Sequence, residues 1–178
     1  MRIMGIDAGL ASTGIAILDT DINDFVLIEK IKTTIKKATP TTGHRARFIA
    51  GTISQWIMEY EIEAVVIEDI YINPKQPSAI IPVARLRGAI EQVVLDWEFE
   101  GLNVIKSSVM KKIVGGKGNV KKDECFHAIK QIYSHSALLQ EKLGPVFIDT
   151  GANKIDDISD ACCIAHSYRV APTAAEFL

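Results

Sequence analysis

The chain opens on Arg2-Ile3-Met4-Gly5-Ile6-Asp7-Ala8-Gly9 and, after a short link, continues Thr13-Gly14-Ile15-Ala16-Ile17-Leu18. The first run is apolar up to an acid and then turns at Gly9. The second is apolar again. Two such runs with a short link predict an antiparallel pair of strands. Phe25 to Ile31, with Phe25, Val26, Leu27, Ile28 and Ile31, predicts a third strand of the same meander. Asp7 is the residue that gives this opening its meaning. A carboxylate closing a buried strand is unfavourable unless a cation or hydrogen-bond donors compensate it.

The same ending recurs in Ala64-Val65-Val66-Ile67-Glu68, a continuous apolar run that predicts a central strand covered on both faces. Between these strands, Phe48, Ile49, Ile53, Trp56 and Ile57 have helical spacing over about Arg45 to Tyr60. Downstream, Asn73-Pro74-Lys75-Gln76-Pro77 reads as a loop, followed by a helix from about Ser78 to Phe99 with a distortion expected at Pro82. Asn103-Val104-Ile105 predicts a fifth strand. Val109 to Val114 predicts a short helix, and Gly115 to Asn119 a loop. Lys121 to Tyr133 is amphipathic through Cys125, Phe126, Ile129 and Ile132, and Ile155 to Tyr168 is the last expected helix. The order predicts an α/β protein, a five-stranded mixed sheet flanked by helices, in a single domain over residues 1–178. Ligands of such sheets bind at the carboxyl ends of central strands. If the first and fourth strands are neighbours, Asp7 and Glu68 meet there.

Asp157 and Asp160 lie three apart on the last helix and share one side of it. Each acid also has a plain reading. Asp157 with Asp156 could complement the helix dipole, Asp7 could cap a turn, and Glu68 could be a satisfied structural acid. Asp156 and Asp69 are expected to point away from the group. Taken together, Asp7, Glu68, Asp157 and Asp160 suggest a divalent metal and phosphodiester chemistry, because magnesium suits carboxylate oxygens.

Composition narrows the classes. The chain has 178 residues, 48% hydrophobic and 24% charged, an ordinary globular balance. Its apolar runs are strand-length, so no membrane span and no signal peptide are expected. Cys125, Cys162 and Cys163 lack metal-site spacing and read as packed thiols of a reducing cytoplasm. His166 reads as a core or surface histidine, since a magnesium site favours oxygen. The net charge is −2, with no global signal for nucleic acid. Two local runs are basic, Lys30 to Arg47 and Lys106 to Lys122, and either can contact phosphates or be a solvated face.

With these residues in view, a family resemblance emerges. Gly5-Ile6-Asp7-Ala8-Gly9 with Thr13-Gly14-Ile15-Ala16-Ile17 resembles the opening of the RuvC Holliday-junction resolvases. Ile67-Glu68-Asp69-Ile70-Tyr71 resembles their second acidic strand. Lys111 to Lys122, with Gly116-Lys117-Gly118-Asn119 inside it, resembles their lysine-glycine loop, and Asp157-Ile158-Ser159-Asp160-Ala161 their acidic final helix. Each motif is short, but the four occur in order across nearly the whole chain. The resemblance implies an RNase H-like fold, a homodimer, and magnesium-dependent nicking of branched DNA with two ions per site, manganese being able to substitute. It implies metal ligands at Asp7, Glu68, Asp157 and Asp160 and a catalytic lysine at Lys122. It implies DNA contacts at Tyr71, Lys75, Arg87, Lys111, Lys112, Lys117 and Lys121. The prolines at 74, 77 and 82 depart from the pattern around the helix that the family uses to dimerise. With the acidic pI near 6.1, they suggest a divergent, phage-type member.

Two other readings share some of these features. An RNase H acting on RNA–DNA hybrids would use the same acids. Actin-like and sugar-kinase ATP-binding domains also open on Asp-x-Gly, but they need a second domain that this chain is too short to supply.

Overall fold

The structure is a computed structural model and describes residues 1–35, 41–70, 80–150 and 154–177. The opening meander forms as β1 (Arg2–Asp7), β2 (Ser12–Asp19) and β3 (Asp24–Lys32). Helix α1 (Thr42–Glu59) leads to β4 (Ala64–Glu68), and α2 (Ile80–Asp96) leads to β5 (Asn103–Ile105). Helices α3 (Ser107–Gly115), α4 (Lys122–Ile132), α5 (Ala137–Leu143) and α6 (Asp156–Val170) follow. A two-residue strand, β6 (Glu176–Phe177), closes the far edge.

The strand order is β3-β2-β1-β4-β5-β6. Strands β1, β4 and β5 run parallel, and the other pairs are antiparallel. The five strands read from the sequence all form. Helix α5 and strand β6 were not read, because both are short and carry little periodicity. Among the described residues α2 continues through Pro82 to Asp96.

Two hydrophobic cores lie on either side of the sheet. Met4, Ile6, Ile15, Ile17, Val65 and Ile67 face α1 and α2. Ile3, Ala16, Leu18, Ala64 and Val66 face α6, against which α3 and α4 pack, while α5 lies against β3 and α4. This alternation is the two-residue period of a strand. On β1 it assigns Asp7 to the side of Ile3 and Gly5, and on β4 it assigns Glu68 to the side of Ala64 and Val66. Both acids therefore face α6.

Helix α6 is buried all round, from Asp156 to Ser167. It reaches the sheet through two glycines. A Cβ on Gly5 would lie 2.4 Å from the Ala161 carbonyl oxygen, and one on Gly14 would lie 2.0 Å from that of Asp157. Any side chain at either place would push the helix away from the strands.

Candidate active site

The site is a row across the sheet, roofed by the start of α6. Asp7 is paired with Gly14 on β2, and Gly14 with Lys30 on β3. On the other side the parallel register pairs Ile6 with Ile67, so Glu68 follows beside Asp7. The order across four strands is Glu68, Asp7, Gly14, Lys30. The Asp157 backbone rests on the gap left by Gly14, between the acids and the lysine. One turn along α6, Asp160 lies near Asp7.

Charge crowding follows from that placement. Burial, and then the charges of Asp160, Glu68 and Asp157, push the Asp7 carboxyl well above the ordinary carboxylate range. Asp160 is also raised. Burial is the main cause, Glu68 and Asp156 add to it, and the Lys122 ammonium opposes it. Asp157 goes the other way. Burial works against its charge, but the Ser12 hydroxyl and the ammonium groups of Lys154 and Lys30 hold it below the ordinary range.

The cations around the acids are specific. Lys122 Nζ donates to Asp160 Oδ2 at 2.7 Å and to Asp156 Oδ2 at 3.2 Å. Lys154 Nζ lies 2.9 Å from Asp156 Oδ2 and 3.3 Å from Asp157 Oδ1. Lys30 Nζ is 3.5 Å from Asp157 Oδ2, to which the Ser12 hydroxyl also donates. Burial disfavours the charge of Lys122, yet Asp160 and Asp156 outweigh it and strengthen its hold on the proton. A cleft of about 400 Å³ opens here, lined by Asp7, Ser12, Lys122, Lys154 and Asp157 among others.

Among the described residues no three carboxylates, imidazoles or thiols close on one point as a finished cation cage. Asp157 and Asp160 are turned toward lysines. The donor set nevertheless fits a hard divalent cation: oxygen donors only, four acids from three elements, and an Asp7 whose charge nearby acids disfavour. A cation would relieve that repulsion.

Residues 3–167 match the family model described as crossover junction endodeoxyribonuclease RuvC. The chain belongs to the RuvC family. A RuvC crossover junction endodeoxyribonuclease from Rickettsia conorii is 30% identical over 172 residues, covering 94% of this chain and all of that protein. The fold is similar to Thermus thermophilus RuvC, with a TM-score of 0.76 at 18% identity over the whole of both chains. It is also similar to that RuvC in complex with a Holliday junction substrate, with a TM-score of 0.74 at 17% identity, covering 100% and 99% of the two chains. RuvC membership sets aside the ATP-binding reading.

Within this RuvC-family chain, some expected residues stand elsewhere. Arg87 is buried at 7% exposure and pairs with Asp69 at 3.2 Å. Asp69 points away from the acids, as expected. Asp156 does not: it is 3% exposed and joins two lysines of the site, Lys122 and Lys154. Its place in the helix's first turn suggested a charge complementing the dipole and pointing away, but Lys122 at the head of α4 and Lys154 reach it there. Arg45 in the first basic run holds the fold, donating to Thr33 Oγ1 at 2.8 Å and to the Leu10 carbonyl at 2.9 Å. Lys112, Lys117 and Lys121 are exposed and Lys111 is half-buried. Tyr71 and Lys75 lie outside the described residues, as does the loop expected at 73–77. Cys125, Cys162 and Cys163 are buried free thiols, and His166 is a core residue bonded to the Tyr133 hydroxyl at 3.0 Å.

Ser12, Lys30, Lys154 and Asp156 were not singled out from the sequence as site residues. Lys154 carried a usable signal, standing three residues before Asp157 and so able to reach it. Ser12 and Lys30 carried none without the register.

Proposed function

We propose that this chain, as one nuclease domain, is a crossover junction endodeoxyribonuclease that nicks four-way DNA junctions by metal-dependent phosphodiester hydrolysis. The observation that carries the reading is the meeting of Asp7, Glu68, Asp157 and Asp160 at the carboxyl ends of two parallel strands under α6. These four would hold the metal. Two magnesium ions held there, or manganese in their place, would supply the Lewis-acid chemistry that activates a water and stabilises the leaving oxygen.

The remaining work falls to the chain's own groups. Asp7 and Glu68 stand on a rigid sheet, so their positions do not depend on loop motion. Asp157 is kept ionised by Ser12, Lys30 and Lys154. Lys122 stands at the cleft with its ammonium charged, and a phosphate oxygen entering there meets a donor. Lys111, Lys112, Lys117 and Lys121 would hold the DNA backbone as point charges. Tyr71 would stack on an exposed base and Lys75 would contact phosphate beside it. A junction presents two cuts, and the family's homodimer would bring two such sites to it. The cytoplasm fits a chain with three free thiols and, among its described residues, no helix long and apolar enough to cross a membrane.

One assay tests the reading. The protein is incubated with magnesium and a panel of four-way, three-way, forked and RNA–DNA hybrid substrates. Paired symmetric nicks in the four-way junction are expected. Cuts confined to the RNA strand of a hybrid would assign it to the RNase H class instead. Asp7→Asn and Glu68→Gln are expected to abolish cleavage while junction binding in calcium survives. A wild-type rate in either variant would remove that acid from the site.

A further inference from the structure

Asp156 is the first residue of α6 and is 3% exposed. Its Oδ1 accepts the Asp157 N–H at 2.9 Å, which fixes the carboxylate's orientation. Its Oδ2 receives Lys154 at 2.9 Å and Lys122 at 3.2 Å. The two lysines come from different segments, one heading α4 and one preceding α6. Each also touches one of the acids assigned to the metal, Lys122 reaching Asp160 at 2.7 Å and Lys154 reaching Asp157 at 3.3 Å.

A divalent cation and an ammonium repel one another, and a carboxylate that donates its lone pairs to a metal has less to offer a lysine. A cation on Asp157 and Asp160 therefore removes one partner from each lysine. Asp156 is the partner both retain. Without its charge, the two half-exposed ammonium groups would either turn fully onto Asp157 and Asp160, competing with the cation, or swing into solvent.

We propose that Asp156 is a positioning residue: its carboxylate anchors Lys122 and Lys154 together and keeps both ammonium groups beside the reacting phosphate once a divalent cation occupies the neighbouring acids. The assignment rests on the nuclease reading above. It differs from a helix-dipole role, which would move stability and leave the lysines where they are.

The test uses the full chain and the Asp156→Asn variant, with magnesium as the probe. Amine labelling by acetic anhydride, read by mass spectrometry in saturating magnesium, reports the anchoring without reference to cleavage. Lys122 and Lys154 are expected to label about threefold faster or more in the variant, with Lys117 unchanged. Equal labelling in both proteins would overturn the proposal. The magnesium-induced rise in melting temperature is expected to persist in Asp156→Asn and to be lost in Asp160→Asn. Its loss in Asp156→Asn would make Asp156 a ligand and also overturn the proposal. In single-turnover junction cleavage, Asp156→Asn is expected to slow the reaction in the wild-type background. In a Lys122→Met, Lys154→Met background it should change the rate by no more than about twofold. A full additive loss there would mean that Asp156 acts otherwise. If Asp156→Asn fails to fold, Lys154→Met, at a half-exposed position, takes its place. Faster labelling of Lys122 in that variant is not expected, and finding it would show that the lysines hold each other's place without Asp156. If the wild type cleaves no junction, the nuclease reading falls while the labelling result still decides the role of Asp156.

Discussion

At the scale of the residue, the site separates acids of the same type by their surroundings. Asp7 is buried and faces other acids, and its charge is disfavoured. Asp157 faces a hydroxyl and two ammonium groups, and its charge is favoured. Lys122 sits between these environments as a resident counter-ion. Lys122→Ala is expected to slow junction cleavage by about 10²-fold, the usual worth of one positioned charged or acid–base group. The same change removes a competitor for Asp160, so magnesium should bind the DNA-free protein more tightly, as calorimetry would record. Slower cleavage with weaker magnesium binding would mean that Lys122 supports the ligands instead. His166 provides a control far from this chemistry. Burial, and then the charge of Arg169, lower its pKa from 6.5 to about 4. The folded protein thus keeps a neutral imidazole, which the Tyr133 hydroxyl contacts at 3.0 Å. Below pH 6.5 the unfolded chain takes up a proton that the folded chain refuses. Stability from this residue is full above pH 6.5, falls as the pH drops, and is gone near pH 4. The loss is on the order of 3 kcal/mol. Urea unfolding at pH 7 and pH 4.5 should show a smaller difference in His166→Gln than in wild type, and equal differences would refute the account.

At the scale of the element, α6 is the piece that makes a site out of a sheet. Its two acids are useful only if its backbone lies against β1 and β2, and Gly5 and Gly14 provide that approach. Gly14→Ala would place a methyl group inside the Asp157 peptide, so the first turn of α6 must move. The expected destabilisation is about 2 kcal/mol, a fall in melting temperature of about 4–8 °C. Cleavage should fall far more than stability does, because Asp157 leaves the row first. Gly51, in the middle of α1, has nothing near the position of a Cβ. Gly51→Ala should therefore leave the melting temperature unchanged or raise it slightly. The loop after α3 has a different origin. Gly116 takes a left-handed φ of 81° and ends that helix, so the lysines that follow it are presented on a turn.

At the scale of the whole molecule, net charge says little, and the division of charge says more. Acids gather under α6, while Lys112, Lys117 and Lys121 stand exposed on the α3–α4 side. Junction binding in calcium should weaken steeply with salt, and neutralising any one of these lysines should reduce the slope of log K against log salt by about 1. Arg87→Gln should leave the slope unchanged, since Arg87 is held inside the fold beside Asp69. An altered slope there would place Arg87 on the DNA. Local periodicity was enough to read the five strands, five of the six helices and the common side of Asp157 and Asp160, because these features are written in neighbouring residues. It also indicated why Asp7 and Glu68 had to be explained, since an acid ending a buried run is unfavourable wherever the run goes. Contacts between distant residues were not readable in this way. Ser12 reaches Asp157 across 145 positions, and Lys122 reaches Asp156 across 34. Strand order and register decide such meetings, as they decide that Lys30 joins the site while Arg45 and Arg87 serve the fold. Reading along the chain singled out the four acids as candidates, because an acid closing an apolar run is visible among its neighbours. Which cations attend them came from the fold, because a charge finds its partner through space and not along the chain.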